Sequence, residues 1–297
     1  MKSSHHLLLG AHMSVSGGFD QAIVRAESIG CTAMQIFTKS NRQWHAKVVD
    51  PNDAASFKAA VAQSSLELHN IIVHATYLIN IGSPDKAIEK KSVQAVLTEL
   101  DRCQMLGIPY LVLHPGSHTN SDEKTCLNRI ADNLNYILEH THTSVSILLE
   151  NMSGQGSTVC DSFEQLHTVY RQSDHKKKLG FCFDTCHAFA AGYDFRTKKG
   201  YDNMWKAFEE LLGIKKIKAM HINDSKRECG SHVDRHEDIG KGKIGTHAFE
   251  LLFNDPRFFD VPKILETPNK ELAAYKHNMD IIKKHLSAST RKKLLVP

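Results

Sequence analysis

Gly180-Phe181-Cys182-Phe183-Asp184 is apolar for the length of a strand and then ends on a carboxylate, with Thr185-Cys186-His187 directly behind it. A strand that is apolar at every position, not at alternate ones, needs cover on both faces, as in a parallel sheet wrapped by helices. Working outward, the same pattern recurs. Short apolar runs at 7–12, 33–38, 71–75, 110–114, 146–150, 180–184, 218–222 and 263–266 alternate with longer amphipathic runs of helix length. Eight such repeats predict an α/β fold, a single (β/α)8 TIM barrel.

The intervening segments carry helix punctuation. Pro84 suits the first turn of a helix over 84–106, and Gly107 stands where a C-terminal cap belongs. Asp122 opens a run through Leu138, and the segment 271–286 ends the barrel with late lysines. No linker or low-complexity tract interrupts the 297 residues, so one domain over 1–297 is expected.

Composition narrows the class. Hydrophobic residues make up 41% and charged residues 24%, the balance of a soluble globular chain. No apolar run is long enough to span a bilayer, and the stretch behind Lys2 is too short for a signal peptide. These features point to a cytoplasmic protein without a membrane partner. The seven cysteines are scattered and form no zinc-ribbon pattern, so reduced thiols are expected, Cys182 and Cys186 included. The net charge of +4 is compatible with a polyanionic partner but does not specify one. The lysines at 176–178 and 215–216 read as solvated faces. The 19 histidines prompt a search for metal-ligand spacing.

In such barrels chemistry sits where strands end. The third to eighth strands end on or beside His74, His114, Glu150, Asp184, His221 and Glu266, every one a metal-ligand type. Six such groups in one cavity without a cation would bring repulsion and desolvation together, and a metal cluster relieves both. His187 follows Asp184 by three residues, and Asp234 and His236 share one side of an extended segment, which adds a third group of donors. Nitrogen and oxygen donors suit zinc, and manganese or iron also accept them. His12 ends the first strand and belongs to the floor of the same site.

Four stretches carry a resemblance: 180–187, His74-Ala75-Thr76-Tyr77-Leu78-Ile79-Asn80, His221-Ile222-Asn223-Asp224-Ser225-Lys226 and Gly230-Ser231-His232-Val233-Asp234-Arg235-His236. In this order they resemble the signatures of the endonuclease IV family of apurinic/apyrimidinic endonucleases, and the likeness runs from Gly10 to Thr267. It implies three zinc ions. His74, His114 and Glu150 would hold the first; Glu150, Asp184, His221 and Glu266 the second; His187, Asp234 and His236 the third. It further implies hydrolysis of the phosphodiester 5′ to an abasic site in double-stranded DNA, leaving a 3′ hydroxyl and a 5′ deoxyribose phosphate. A hydroxide bridging two cations and oriented by Glu150 would be the nucleophile.

A barrel mouth reaches a phosphate in duplex DNA only if the duplex bends and the damaged nucleotide turns out. The segments after the second and third strands offer a cation, an amide, an aromatic and an apolar wedge, and the resemblance gives this DNA-binding role to Arg42, Gln43, Tyr77 and Leu78. Trp44 and Tyr77 could instead simply cap the barrel. The resemblance also implies a monomer. The alternative of another class is a metal-dependent sugar isomerase or epimerase on the same barrel, from which the third donor group and the exposed loops set this chain apart.

Overall fold

The computed structural model describes residues 5–45 and 47–295, so the outermost residues of the expected 1–297 domain lie outside it. Eight parallel strands close into a barrel: β1 (Leu9–Met13), β2 (Ala33–Ile36), β3 (Ile71–His74), β4 (Tyr110–Leu113), β5 (Ser146–Glu150), β6 (Leu179–Asp184), β7 (Ile217–His221) and β8 (Lys263–Leu265). Each strand pairs with the next in sequence, and β8 closes the ring by pairing Lys263 with Leu9 and Met220. The helices are α1 (Phe19–Ser28), α2 (Pro51–Gln63), α3 (Lys86–Leu106), α4 (Glu123–His140), α5 (Phe163–Arg171), α6 (Thr185–Ala190), α7 (Lys198–Leu211), α8 (Thr246–Phe253), α9 (Leu272–Lys284) and α10 (Ala288–Lys293).

The two-residue period of a strand sorts side chains into two cores. Ala33, Ile72, Val112, Leu148, Cys182, Ala219 and Ile264 fill the barrel interior, while their sequence neighbours pack outward under the helices. Gly10 lies where β1 runs hard against β2: a Cβ there would stand 1.7 Å from the Ala33 carbonyl oxygen. Two residues beyond each interior residue, at the C-terminal rim, stand Gln35, His74, His114, Glu150, Asp184, His221 and Glu266. The site is thus built on the top layer of the barrel core, one side chain from each of seven strands, and its polarity is what marks it.

Several element ends differ from expectation for local reasons. Asp85, not Pro84, sets the start of α3: its carboxylate accepts the Ala87 and Ile88 N–H groups, leaving Pro84 outside the helix. Gly107 does terminate α3, in the left-handed region at φ 79°. The second strand stops at Ile36 because the Thr38 carbonyl is taken by the Arg102 guanidinium instead of by a neighbouring strand. Beyond α9 the chain adds α10, and Leu294–Leu295 pairs in parallel with His5–His6. The lysines at 176–178 and 215–216 lie in one-turn 3-10 segments leading into β6 and β7.

Candidate metal centre

Glu150 is the hub. Its carboxylate is fully buried at the end of β5. One oxygen, Oε2, stands 3.2 Å from Nε2 of both His74 and His114. The other, Oε1, stands 2.9 Å from His221 Nδ1 and 3.3 Å from His187 Nδ1. Around His221 Nδ1 gather Glu266 Oε2 at 3.2 Å and Asp184 Oδ2 at 3.7 Å. Asp234 joins the remaining histidines, with Oδ2 at 3.3 Å from His187 Nε2 and Oδ1 at 3.2 Å from His236 Nε2. All nine residues singled out by sequence therefore converge on one mouth, and they do so in three adjoining groups.

Four of the five histidines are each aimed by a partner of their own. His74 Nδ1 donates to the Ala75 carbonyl at 2.7 Å, His187 Nδ1 to the Asn151 carbonyl at 3.0 Å and His236 Nδ1 to the Glu266 carbonyl at 3.0 Å. His221 Nε2 donates to Gln35 Oε1 at 2.8 Å. A carbonyl oxygen can only accept, so in these four rings the outer nitrogen carries a proton and the inner nitrogen faces the site, where it offers a lone pair to a cation once any proton of its own is released. This is the arrangement found around metal-bound imidazoles. His236 Nε2 is buried and, although Asp234 Oδ1 stands 3.2 Å away, makes no well-aligned hydrogen bond, a position that a cation held between the two would satisfy.

The electrostatics of the bare cluster follow. Burial pushes the Glu150 carboxyl up, but His221 and His114 outweigh it and hold it well below the usual carboxylate range. Glu266 and Asp234 are lowered in the same way, chiefly by His221 and His187 respectively. Burial alone would lower the imidazoles, yet Asp184 and Asp234 raise His187 well above the ordinary histidine value and His236 to about 9, and Cys182 with Glu266 and Glu150 raises His221 well above it. Without metal, protons on His187, His221 and His236 take the place of cations. The donors, their shared hub and their oriented lone pairs fit a multinuclear metal centre.

The loops hold the third group by less obvious residues. Asp184 caps α6, its Oδ1 accepting the His187 N–H at 2.8 Å, which explains why His187 turns back toward the mouth. Asn223 donates to Asp184 Oδ2 and accepts the Glu266 N–H, each at 2.8 Å. Asn151 accepts the Asp184 N–H at 2.8 Å. Asp224 is buried and gathers N–H groups from Ser225, Gly240, Gly242 and Ile244, folding the loop around Asp234 and His236. The Asp234 N–H is held by Gln155 Oε1 at 2.9 Å. Gln35, Asn151, Asn223 and Gln155 escaped the sequence reading, which sought only metal-ligand types. Their signal was there: Gln35 is a polar residue inside an apolar strand, at the rim position where other strands carry His, Asp or Glu. His12 lies beside Glu266, Nδ1 to Oε1 3.5 Å, at the edge of the cluster.

Cys182 is in the barrel interior with its thiol pushed up to about 12 by burial. Cys186 lies within 4.8 Å of donor atoms of Asp234 and His236, but burial and Asp184 push its thiol to about 12 as well.

Arg42 and Gln43 are exposed on the loop after β2, and Trp44 is half-buried against the core. Tyr77, 53% exposed, leans over the rim with its ring 5.4 Å from that of His74 and 5.5 Å from that of His114. Leu78 is half-buried beside it. The Thr76 hydroxyl, donating to the Asn41 carbonyl at 2.6 Å, ties the two loops together. Among the described residues no helix is long and apolar enough to cross a membrane.

Comparisons with known proteins show what the chain is similar to. The family model for the xylose isomerase-like TIM barrel matches residues 23–285. The probable endonuclease 4 of Chloroflexus aurantiacus is 45% identical over 263 residues, covering 88% of this chain and 92% of that protein. The probable endonuclease 4 of Geotalea daltonii is 42% identical over 261 residues, covering 88% and 91%. Among solved structures, endonuclease IV from Thermus thermophilus superposes with a TM-score of 0.82 at 31% identity over 93% of this chain and 98% of that one. A D-tagatose 3-epimerase-like protein shares the barrel at a TM-score of 0.71 and 20% identity, over 93% and 96%.

Proposed function

The chain belongs to the endonuclease IV family, and from that premise we propose that it is the apurinic/apyrimidinic endonuclease whose cut falls 5′ to an abasic site in duplex DNA, leaving a 3′ hydroxyl and a 5′ deoxyribose phosphate. The observation that carries this reading is the rim cluster: five histidines and four carboxylates in three adjoining groups around a shared, buried Glu150. A purely structural metal site is closed and has no need of a shared carboxylate.

His74, His114 and Glu150 would hold one cation; Glu150, Asp184, His221 and Glu266 a second; His187, Asp234 and His236 a third, with zinc the ion that best suits these donors. Bound there, closely spaced cations make water nucleophilic at neutral pH and screen the charge of a phosphate in displacement. The chain's own residues do the rest. Glu150, with an oxygen facing each neighbouring group, orients the attacking water in line with phosphorus. Gln35, Asn151 and Asn223 fix the angles of His221, His187, Asp184 and Glu266, so the polar mouth is organised before substrate arrives and needs no rearrangement in the transition state. Arg42, Gln43, Tyr77 and Leu78, on two loops tied together by Thr76 and Asn41, would enter the gap of a missing base. Unstacking costs least where the base is already gone, which gives a physical basis for lesion preference. The setting is a cytoplasmic monomer acting on double-stranded DNA.

The sugar isomerase alternative has little of its own to stand on. The epimerase-like neighbours share 14–20% identity and speak for the barrel alone. Two measurements test the proposal. The 3′ end left by incision should prime DNA synthesis by a polymerase without further trimming, and the loaded protein should hold three equivalents of metal, falling to two in Asp234→Ala. An unextendable end, or sugar epimerisation in place of incision, would refute it.

A further inference from the structure

Helix α3 carries a second ionic cluster, separate from the metal donors. Glu99 and Arg102, three residues apart on one helix face, are 1% and 6% exposed, a costly place for charged groups unless partners compensate for the lost water. Their partners all belong to the loop after β2. Glu99 accepts the Thr38 hydroxyl and pairs with the Lys39 ammonium at 3.7 Å. Arg102 donates Nε to Thr38 Oγ1 at 2.8 Å and its two terminal nitrogens to the carbonyls of Thr38 and Lys47. One planar guanidinium thereby grips both ends of the loop. Lys39 grips its turn, donating from Nζ to the Gln43 carbonyl at 2.7 Å and the Trp44 carbonyl at 3.3 Å. Arg42 and Gln43, both exposed, are suspended between those anchors.

If this cluster only docked α3 on the barrel, apolar side chains would do so at lower desolvation cost. What charges add is direction: they satisfy four carbonyl oxygens that a loop otherwise leaves to water, and they fix where the loop points. A loop ordered in advance also loses less entropy on binding.

We infer that the Lys39–Glu99–Arg102 cluster is a positioning device that sets the pose of Arg42 and Gln43, so that α3 residues touching no DNA govern affinity for the lesion-bearing duplex. The inference rests on the DNA-repair reading above. The loop is the effector, and Glu99 acts on DNA only through it.

The test uses the full, metal-loaded chain and a duplex with one tetrahydrofuran abasic analogue. Wild type is compared with Glu99→Gln, with Arg42→Ala/Gln43→Ala, and with the triple variant. Glu99→Gln should raise KM about tenfold while kcat stays within about threefold, with metal content unchanged. In the Arg42→Ala/Gln43→Ala background the same change should leave KM where it was, since the residues it positions are gone. Lys39→Met, which cuts the same link from the loop side, gives a second reading if Glu99→Gln does not fold. Arg102→Lys, keeping charge but losing the fork, should also raise KM. An unchanged KM in folded Glu99→Gln or Lys39→Met, or an undiminished effect of Glu99→Gln in the triple background, overturns the inference. Failure of wild type to cut the analogue overturns the DNA-repair reading first, and shows in the wild-type arm alone.

Discussion

Gln35 shows how much a residue that binds no metal can decide. It accepts from His221 Nε2 at 2.8 Å and donates to Glu266 Oε1 at 2.7 Å, so it sets the tautomer of one ligand and the orientation of another. Replacing it by leucine leaves His221 Nε2 without its acceptor and takes one hydrogen bond from Glu266. Gln35→Leu should lose on the order of 10- to 100-fold in metal affinity or activity with little change in fold, measured by metal titration beside circular dichroism. Wild-type affinity in that variant would show that the hydrogen bond is incidental. Tyr77 and Arg42 predict the opposite separation. Neither touches a donor through a polar bond, so Tyr77→Ala or Arg42→Ala should weaken abasic-DNA binding and keep the full complement of metal. Metal loss in either would remove the assignment of these loops to DNA. At this scale the sequence was informative where chemistry is carried by the residue type itself, as with the nine His, Asp and Glu donors. It was silent where a neutral amide or a backbone carbonyl does the work, because Asn and Gln look the same on a solvated loop as in a buried second layer.

At the scale of elements, the strands were legible because each must be apolar on both faces, and the rim was legible because each strand breaks that rule at its end. What could not be read was how far each pairing extends. Thr38 was expected in the second strand, and Arg102, distant in sequence, withdraws it from the ladder. Pro84 was expected inside α3, and the competing cap of Asp85, worth roughly 1 kcal/mol, moves the start past it. Lys263 is another element-scale surprise. It begins β8, is 2% exposed, and donates to the carbonyls of Phe258 at 2.5 Å and Val261 at 2.8 Å. Burial, only partly offset by Asp260 and Asp255, lowers its pKa to about 7. The unfolded chain then binds the extra proton between pH 7 and the ordinary lysine value, so this residue's penalty is full below pH 7 and fades as pH rises. Measured by denaturant unfolding, wild type should gain stability relative to Lys263→Met between pH 7 and pH 10. A constant difference across that window would show that the ammonium stays charged throughout.

For the whole molecule, folding brings together donors from six strand ends, the short helix α6 and one long loop, and the metal-free state pays for their proximity with protons. The raised imidazoles of His187, His221 and His236 must release theirs when a cation binds, since only the neutral ring is a ligand. Zinc added to the metal-free protein at pH 7 should therefore liberate protons, read by calorimetry in buffers of different ionisation enthalpy, and should raise Tm by mass action. Binding without proton release would mean that the cluster is already neutral. The most direct test of the central claim, that the rim cluster built around Glu150 cuts DNA at abasic sites, is incision of a duplex carrying one tetrahydrofuran analogue. That analogue cannot undergo β-elimination, so a cut reports hydrolysis. Metal-loaded wild type should incise 5′ to the analogue and spare the intact duplex, and Glu150→Gln should be slower by about 10²- to 10³-fold or more. No incision by the folded, metal-loaded wild type, or undiminished incision by Glu150→Gln, would contradict the account.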